Sequence, residues 1–461
     1  MQNQESLNHI NNRALLKTLA VVALPIALQS LIASSLSLVD NLMVGSLGEA
    51  ELNAVGVSVQ MYFIHWMMLF GFTSGCSTFM AQYFGAKDLI SIRKTTGFAI
   101  TINLSVSMLF FIAATFFPQY VLRIFTNFPE IIDLGASYVR TGALTFLCNA
   151  VTVPLTAALR ATQQTKLPLY ISGAAFLTNT FLNYVLIFGS FGAPKLGVTG
   201  AALATALARV LELMLSLYVV FGRNNIIRGP IREFFGFHKD LALKIVKNAV
   251  PTTINESMWG LGTALYIAAF ARIGVTEGAA VQACNTINNL FILAAFSVGD
   301  AVLILVGQKL GEGKLDYAYR LAKKLVVIGL IIGACGGGLL ILFGKTLLGL
   351  FDFTEQGSHY AFLILIVYGC SMWLSVYNGV IITGVLRCGG DTRFAMLAEV
   401  LSVWCIGVPM AFFASLVLRW PIYLAVLAVK LEEVVKGLTL TKRFFSKKWV
   451  RNVVSESKGN Q

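Results

Sequence analysis

The chain has 461 residues, of which 57% are apolar and only 12% charged, and its formal net charge is +13. A soluble globular protein carries about 25% charged residues, so this composition excludes a water-coated globular domain and places the chain in a bilayer. Twelve spanning helices of about 20 residues leave room for short connections but not for a soluble enzyme domain. The four histidines and seven scattered cysteines indicate neither a zinc site nor a disulfide framework. We therefore expect a membrane protein that is not an enzyme and uses no cofactor.

Apolar runs separated by polar breaks predict twelve membrane-spanning helices. They lie near 15–43, 53–83, 95–117, 132–158, 167–190, 196–222, 243–271, 277–308, 319–344, 357–385, 394–417 and 420–440. The polar start of the chain leads into a long apolar helix with no small-residue cleavage site. We interpret it as a cytoplasmic tail rather than a signal peptide.

Positive charge is distributed unequally between the two sides of the predicted membrane. With the N-terminus in the cytoplasm, both tails and the even-numbered connections hold most of the lysines and arginines. The opposite connections hold Arg123, Lys195, Arg272, Lys345 and Arg419. The positive-inside rule then predicts a multi-pass plasma-membrane protein with both termini in the cytoplasm. The basic tail TKRFFSKKWVR is expected to contact anionic lipid. This distribution explains the charge without a nucleic-acid partner, and nothing in the sequence indicates a dimer, so we expect a monomer.

An internal repeat relates the two halves of the chain. The longest polar connection, 223–242, follows the sixth predicted helix, and Pro25 lies 226 residues before Pro251. At the same offset, identical residues recur at Gly48 and Gly274, Glu51 and Glu277, Gln82 and Gln308, and Gly85 and Gly311. The sequence thus predicts an all-α membrane protein with two pseudo-symmetric six-helix lobes, 1–222 and 243–461, joined by a cytoplasmic linker. The cleft between the lobes is the expected ligand site.

Two related helical bundles are typical of transporters that work by alternating access. A gated channel usually repeats by oligomerising, so the duplication favours a transporter. The segment LRCGGDTR at 386–393 has neither the spacing nor the Lys-Ser/Thr pair of an ATP-binding loop. An ion gradient or a partner chain is therefore the expected source of energy.

Ionisable residues at membrane depth are the candidates for function, because an unneeded charge there costs about 2.5–3.5 kcal/mol. Asp40 lies inside the first predicted helix, after Pro25. A carboxylate in such a position can exchange a proton or bind Na⁺ with other oxygens, whereas the alternative is a helix-end Asp exposed to water. Asn179 and Asn183 lie four residues apart, on one helical face, and either join that site or hydrogen-bond between helices.

Other polar residues in the apolar runs allow two interpretations. Glu256 follows Pro251 by about one helical turn, and it either binds a cation or cationic substrate or satisfies backbone groups that the proline loosens. Asp300 is ambiguous in the same way. Spacing favours structural ion pairs for two further sets, Arg209 with Glu212, and an i,i+4 pair at the cytoplasmic end of the last helix among Glu432, Glu433 and Lys436.

The ordered motifs of the chain resemble one known family. The segments are SLVDNLMVGSLGEAELNAVG, GCSTFMAQYFGAKD, NTFLNYVLIFG and GAPKLGVTGAALATALAR in the first half, and INESMWGLG, GQKLGEG and GVLRCGGDTR in the second. They look like the multidrug and toxic compound extrusion (MATE) family, in particular its NorM-like bacterial branch, over essentially the whole chain. The resemblance implies two six-helix lobes that form a V-shaped central cleft. It also implies export of cationic or amphipathic drugs in exchange for H⁺ or Na⁺.

The resemblance also implies roles for individual residues. Asp40 matches the coupling-ion residue of the N-terminal lobe, Asn179 and Asn183 match its fifth-helix partners, and Thr205 matches a sixth-helix threonine of the same site. Glu256 matches an acidic residue in the seventh helix of many bacterial members. In the tenth helix, Val376 stands where many members have an Asp, and Asn378 is the polar residue nearby. Because of this departure, we expect the coupling ion to bind at the N-terminal site. It also favours H⁺ somewhat over Na⁺ as the coupling ion.

The mechanism that follows is antiport. Asp40 takes up an external ion, the first helix bends near Pro25, and substrate leaves; inside, Asp40 releases the ion and favours a cationic substrate. Pro251 is the corresponding hinge of the second lobe. The main alternative is a flippase for a lipid-linked saccharide precursor in the same superfamily. Such a protein usually has a basic cleft, whereas the candidate charges here are mostly acidic.

Overall fold

The computed structural model describes residues 12–222, 225–349, 351 and 353–455. All regular secondary structure in these ranges is helical. A chain in lipid has to satisfy its backbone polar groups within each segment, which explains why apolar runs of this length become helices. The first half contains α1 (Asn12–Gly45), α2 (Glu49–Gly85), α3 (Leu89–Phe116), α4 (Pro118–Leu122), α5 (Pro129–Thr141), α6 (Leu144–Ala161), α7 (Lys166–Phe188) and α8 (Val198–Leu217), which a π-helical turn at Tyr218–Gly222 extends.

The second half contains helices of similar length. They are α9 (Ile231–Phe235), α10 (Lys239–Ala271), α11 (Val275–Gly311), α12 (Leu315–Leu348), α13 (Glu355–Gly379), α14 (Thr392–Ser402), α15 (Val408–Phe412), α16 (Ile422–Val429) and α17 (Leu431–Phe445). π-Helical turns at Val380–Leu386, Val403–Gly407 and Phe413–Val417 continue α13, α14 and α15. All twelve predicted spans coincide with helices, and the all-α membrane fold is confirmed.

Ten of these helical segments are long and apolar enough to cross a membrane, among the residues that the structure describes. The predicted seventh and twelfth spans are the two that fall outside this group. The seventh, α10, begins with several charged residues, and its apolar face is interrupted by Glu256. The twelfth is divided at Lys430 into α16 and α17, each of which is shorter than a full span. Both exceptions carry charged residues within the predicted span.

The contacts divide the chain into two units. Among the described residues, unit 1 comprises 12–27, 77–87 and 247–455 except 350 and 352, and unit 2 comprises 28–76, 88–222 and 225–246. The boundary in α1 follows Pro25 by two residues, so α1 contributes its first part to unit 1 and the rest to unit 2. The core of unit 1 is built mainly from α11, α12 and α13, and the core of unit 2 mainly from α2, α5, α6 and α8. The predicted lobe boundaries at 222 and 243 stay a prediction.

Within unit 1, the repeat-related ends of α2 and α11 pack at backbone distance. A methyl group on Gly85 would lie 1.9 Å from the carbonyl oxygen of Gln308, and one on Gly311 would lie 1.9 Å from that of Gln82. The two contacts are equivalent under the 226-residue offset, which explains why both glycines and both glutamines recur in the sequence.

Replacing Gly311 with alanine is expected to destabilise the protein by about 1–3 kcal/mol, because the added methyl group forces the two backbones apart. Gly338 is the matched control, since a methyl group there would have no neighbour within 4 Å. Thermal unfolding of the detergent-purified variants, followed by loss of the monodisperse peak, measures the difference. Equal melting temperatures of the two variants would show that α2 and α11 can move apart at this contact without loss of stability.

Candidate functional site

Four side chains that the sequence predicts as a coupling site form one hydrogen-bonded chain in unit 2. Asn183, on α7, donates through Nδ2 to Oδ1 of Asp40 on α1, and also to Oδ1 of Asn179 at 3.0 Å. Asn179 in turn donates through Nδ2 to Oγ1 of Thr205 on α8 at 3.2 Å. The structure thus brings three helices together at the four predicted residues.

The asparagines are placed by the helix period and by burial. Asn179 and Asn183 are four residues apart, so both point from the same face of α7, and both are fully buried. Asp40 is half-buried near the end of α1. The buried Oδ1 of Asn183 has no hydrogen-bond partner among the described residues. A carboxylate and an open amide oxygen therefore lie next to each other.

A small cavity of about 40 Å³ lies beside these hydrogen-bonded side chains, within unit 2. Asn179 and Thr205 line it together with the ion pair of Arg209 and Glu212, whose Nη1 and Oε2 are 2.6 Å apart. The volume suffices for about one to three water molecules with polar partners. The predicted pairing of Arg209 with Glu212 is thus present, and it borders the site.

Sequence reasoning missed three residues that extend this polar region. Gln29, one turn after Pro25, donates through Nε2 to Oγ of Ser172 at 2.9 Å, and its Oε1 accepts from Nη2 of Arg160 at 2.6 Å. Ser172 also lies 3.4 Å from Oε1 of Glu212 and lines the cavity. The signal for Gln29 was present, because it is a polar residue in an apolar run.

The residues predicted for a second-lobe site have different partners. Glu256 forms a salt bridge with Arg387, whose side chain is 2% exposed. Asn378 instead donates through Nδ2 to Oε2 of Glu433 at 2.6 Å. The structure therefore places each of the two predicted residues in a separate interaction of unit 1.

The predicted i,i+4 pair at the end of the last helix requires correction. Lys436 is buried and lies 3.3 Å from Oε1 of Glu433, an i,i+3 contact, and 3.4 Å from Oε1 of Glu399 on α14. Glu432 accepts a hydrogen bond from the hydroxyl of Tyr266. Glu399 lies 37 residues before Lys436, and because it stands on another helix, local spacing could not reveal the pairing.

Both predicted hinge prolines lie inside continuous helices. Pro25 is in α1 and Pro251 in α10. A proline inside a helix removes one backbone hydrogen bond and weakens the helix locally. For α1, this weak point coincides with the boundary between the two units.

Comparison with known proteins places the chain among transporters. The sequence model of the MatE family matches residues 25–185 and again 251–413, which together exceed half of the chain. The two matches begin 226 residues apart, at Pro25 and Pro251. This spacing equals the repeat offset in the sequence.

Individual proteins agree with the family match over nearly the full length. "Probable multidrug resistance protein YoeA" of Bacillus subtilis is 26% identical, with 87% of each chain covered. "Probable multidrug resistance protein NorM" of Thermotoga maritima is 25% identical over 86% of this chain and 85% of its own. A solved structure, described as the outward-facing conformation of a multidrug resistance MATE family transporter of the MOP superfamily, has a TM-score of 0.84 at 16% identity and covers 94% of this chain and 96% of its own. The chain is a multi-pass membrane protein that belongs to the MatE family.

Proposed function

We propose that the protein exports cationic or amphipathic small molecules by antiport, with H⁺ ahead of Na⁺ as the coupling ion. The observation that carries the proposal is the Asp40–Asn183 pair, in which the carboxylate accepts from an amide whose own buried oxygen has no described partner. A protonated Asp40 could donate to that oxygen, and Na⁺ could bind between the carboxylate and the amide oxygens. The site therefore suits a small cation.

The division of α1 supports a coupling step. Its first part packs in unit 1 and its remainder, including Asp40, in unit 2. If the units move during transport, α1 has to bend close to Pro25, where a backbone hydrogen bond is missing. Ion binding at Asp40 changes the hydrogen bonds between Asp40 and α7. The helix α1 transmits this change to the hinge at Pro25. The ion and the substrate then favour different states of the same helix.

The charge of the site and the names of the relatives both support a class of substrate. Proteins named as multidrug resistance proteins cover most of this chain, which supports small-molecule drugs as substrates. The ionised Asp40 favours a cation once its proton has left. A flippase for an anionic lipid precursor would need available basic groups. Arg209 is instead held by Glu212. The charge distribution in the sequence supports both termini in the cytoplasm.

The test uses purified protein in liposomes that contain a fluorescent lipophilic cation. We expect efflux when a proton gradient is imposed and little when only a Na⁺ gradient is present. Efflux under the Na⁺ gradient alone would assign Na⁺ instead. Absence of efflux under both gradients would contradict antiport, and labelled lipid-linked saccharide precursors would then be the substrates to test.

A further inference from the structure

The segment that follows α17, residues 446–455, packs against other parts of unit 1, and we call it the strap. Trp449 is fully buried in the strap, and its ring stacks on that of Phe444, with the centroids 5.9 Å apart. Its Nε1 donates to the carbonyl oxygen of Phe444 at 3.1 Å. The ring of Tyr319 on α12 lies 6.3 Å from that of Trp449. Trp449, in the tail predicted to contact lipid, therefore faces the protein.

The glycine-rich segment LRCGGDTR provides the surface on which the strap lies. A methyl group on Gly389 would lie 1.8 Å from the carbonyl oxygen of Trp449, and one on Gly390 would lie 2.8 Å from Cγ1 of Val453. Gly390 also has a φ of +73°, a conformation that favours glycine. The two glycines thus give this motif a packing role.

One side chain of α2 binds both the strap and this loop. Gln82 is fully buried, and its Nε2 donates to the carbonyl oxygen of Cys388 at 2.7 Å and to that of Arg451 at 3.1 Å. Its Oε1 accepts from the backbone N–H of Val453 at 2.9 Å. The whole amide group of Gln82 is thus engaged with parts of the chain at least 306 residues away.

The strap has a counterpart in the first half of the chain. At the 226-residue offset, Arg451 corresponds to Asn225, at the start of the predicted linker. Within unit 2, Asn225 exchanges two hydrogen bonds with Gln164, at 2.9 and 3.1 Å. Gln164 lies in LRATQQTK, which matches LRCGGDTR one residue out of that register. Each half therefore ties the segment after its last helix to the same loop, which indicates that the strap is a built part of the repeat.

The strap spans the contact between α2 and α11. The two helices touch there at backbone distance, at Gly85 and Gly311. Gln82 binds the strap from α2, and Asn452 of the strap lies on the α11 side, with Nδ2 3.5 Å from the carbonyl oxygen of Gly311. The helix α2 is divided between the units, and only its residues 77–87 belong to unit 1. The strap therefore holds the end of α2 on α11.

We propose that the strap keeps the ends of α2 and α11 together and has to release in each transport cycle. The inference rests on the proposed antiport, because alternating access opens each side of a transporter in turn. The helices cannot part at this end while Gln82 binds both the strap and the loop. Gln82 acts as a positioning residue, since its amide binds backbone groups and neither the ion nor the substrate. Its three hydrogen bonds break together with the packing of Trp449, which favours the closed contact.

The native Cys388 is a probe for release of the strap. Its side chain is fully buried, and its Cβ would lie 3.6 Å from a methyl group on Gly307 of α11, which would lie 3.1 Å from Cβ of Ala81 on α2. Alkylation with N-ethylmaleimide, followed by mass spectrometry of peptides, measures how readily the helices part there. Cys284 is the internal control for general unfolding, because it is buried elsewhere in unit 1, where its Sγ donates to the carbonyl oxygen of Ala361.

Replacing Gln82 with methionine keeps the length of the side chain and removes its hydrogen bonds. We expect Cys388 to be alkylated at least about fivefold faster, the effect of about one net hydrogen bond on a two-state equilibrium, with Cys284 unchanged. Deleting residues 449–461 should give a similar increase. Combining the two changes should add little, since both break the same contact. In the wild type, alkylation of Cys388 should also rise while a proton gradient drives efflux, which a purely structural contact would not show.

Two matched controls should be alkylated at the wild-type rate. Gln356→Met removes an exposed glutamine of α13, and deletion of residues 456–461 leaves every strap contact in place. Unchanged alkylation of Cys388 in Gln82→Met, an equal rise at Cys284, or an unchanged wild-type rate during efflux would overturn the proposal and leave the antiport intact. Faster alkylation in Gln82→Met of a protein without ion-driven efflux would support the strap contact and contradict the antiport.

Discussion

Replacing Asp40 with asparagine is expected to reduce gradient-driven efflux to the rate measured without a gradient, while the drug still binds. The amide keeps the shape of the side chain and can still bond with Asn183, so the helix contacts of α1 and α7 are retained. It cannot exchange a proton, and it carries no charge to bind Na⁺. Binding of a fluorescent drug to detergent-purified protein and efflux from liposomes, measured on the same preparation, separate the two properties.

Asp133→Asn is the matched control for that experiment. Asp133 is a carboxylate of the same unit, on α5, where it accepts a hydrogen bond from Gln119 at an exposed position. Its replacement should leave coupled efflux at the wild-type rate. If Asp40→Asn retains proton-driven efflux, the coupling ion is bound elsewhere, and the Asp40 network is then a structural contact between helices.

The parts of the fold that depend on local pattern could be predicted from the sequence. Hydropathy located the twelve helices, and the offset between Pro25 and Pro251 revealed the repeat. The shared face of Asn179 and Asn183 followed from the helix period. The contact of Asn183 with Asp40 spans 143 residues, and it was expected only because the motifs resemble those of a known family.

The parts that depend on pairing across the fold could not be predicted. Glu256 was interpreted from its distance to Pro251, but its partner Arg387 stands 131 residues away, at the start of a glycine-rich loop. Glu399 met the same criterion as Asp40, an acidic residue in an apolar run, and was overlooked. Even with Glu399 in view, spacing alone gives Lys436 a partner on its own helix. Only the packing of α14 against α17 reveals the second partner.

Replacing Lys436 with methionine is expected to destabilise the protein by about 3–5 kcal/mol, which is the usual cost of breaking a buried ion pair from one side. Methionine matches the length of the lysine stem, so little packing is lost. Glu399 and Glu433, however, lose the ammonium group that they share. Thermal unfolding in detergent at neutral pH measures the loss.

Two comparisons identify the cause of that loss as charge. Lys314→Met removes a lysine whose Nζ lies 2.8 Å from Oε2 of Glu312. Because the side chain of Lys314 is 57% exposed, the stability of the protein should hardly change. Adding Glu399→Gln and Glu433→Gln to Lys436→Met removes the unpaired carboxylates, and it should restore most of the stability. If the triple variant is as unstable as Lys436→Met alone, shape rather than charge holds α14 against α17, and the carboxylates there are already neutral.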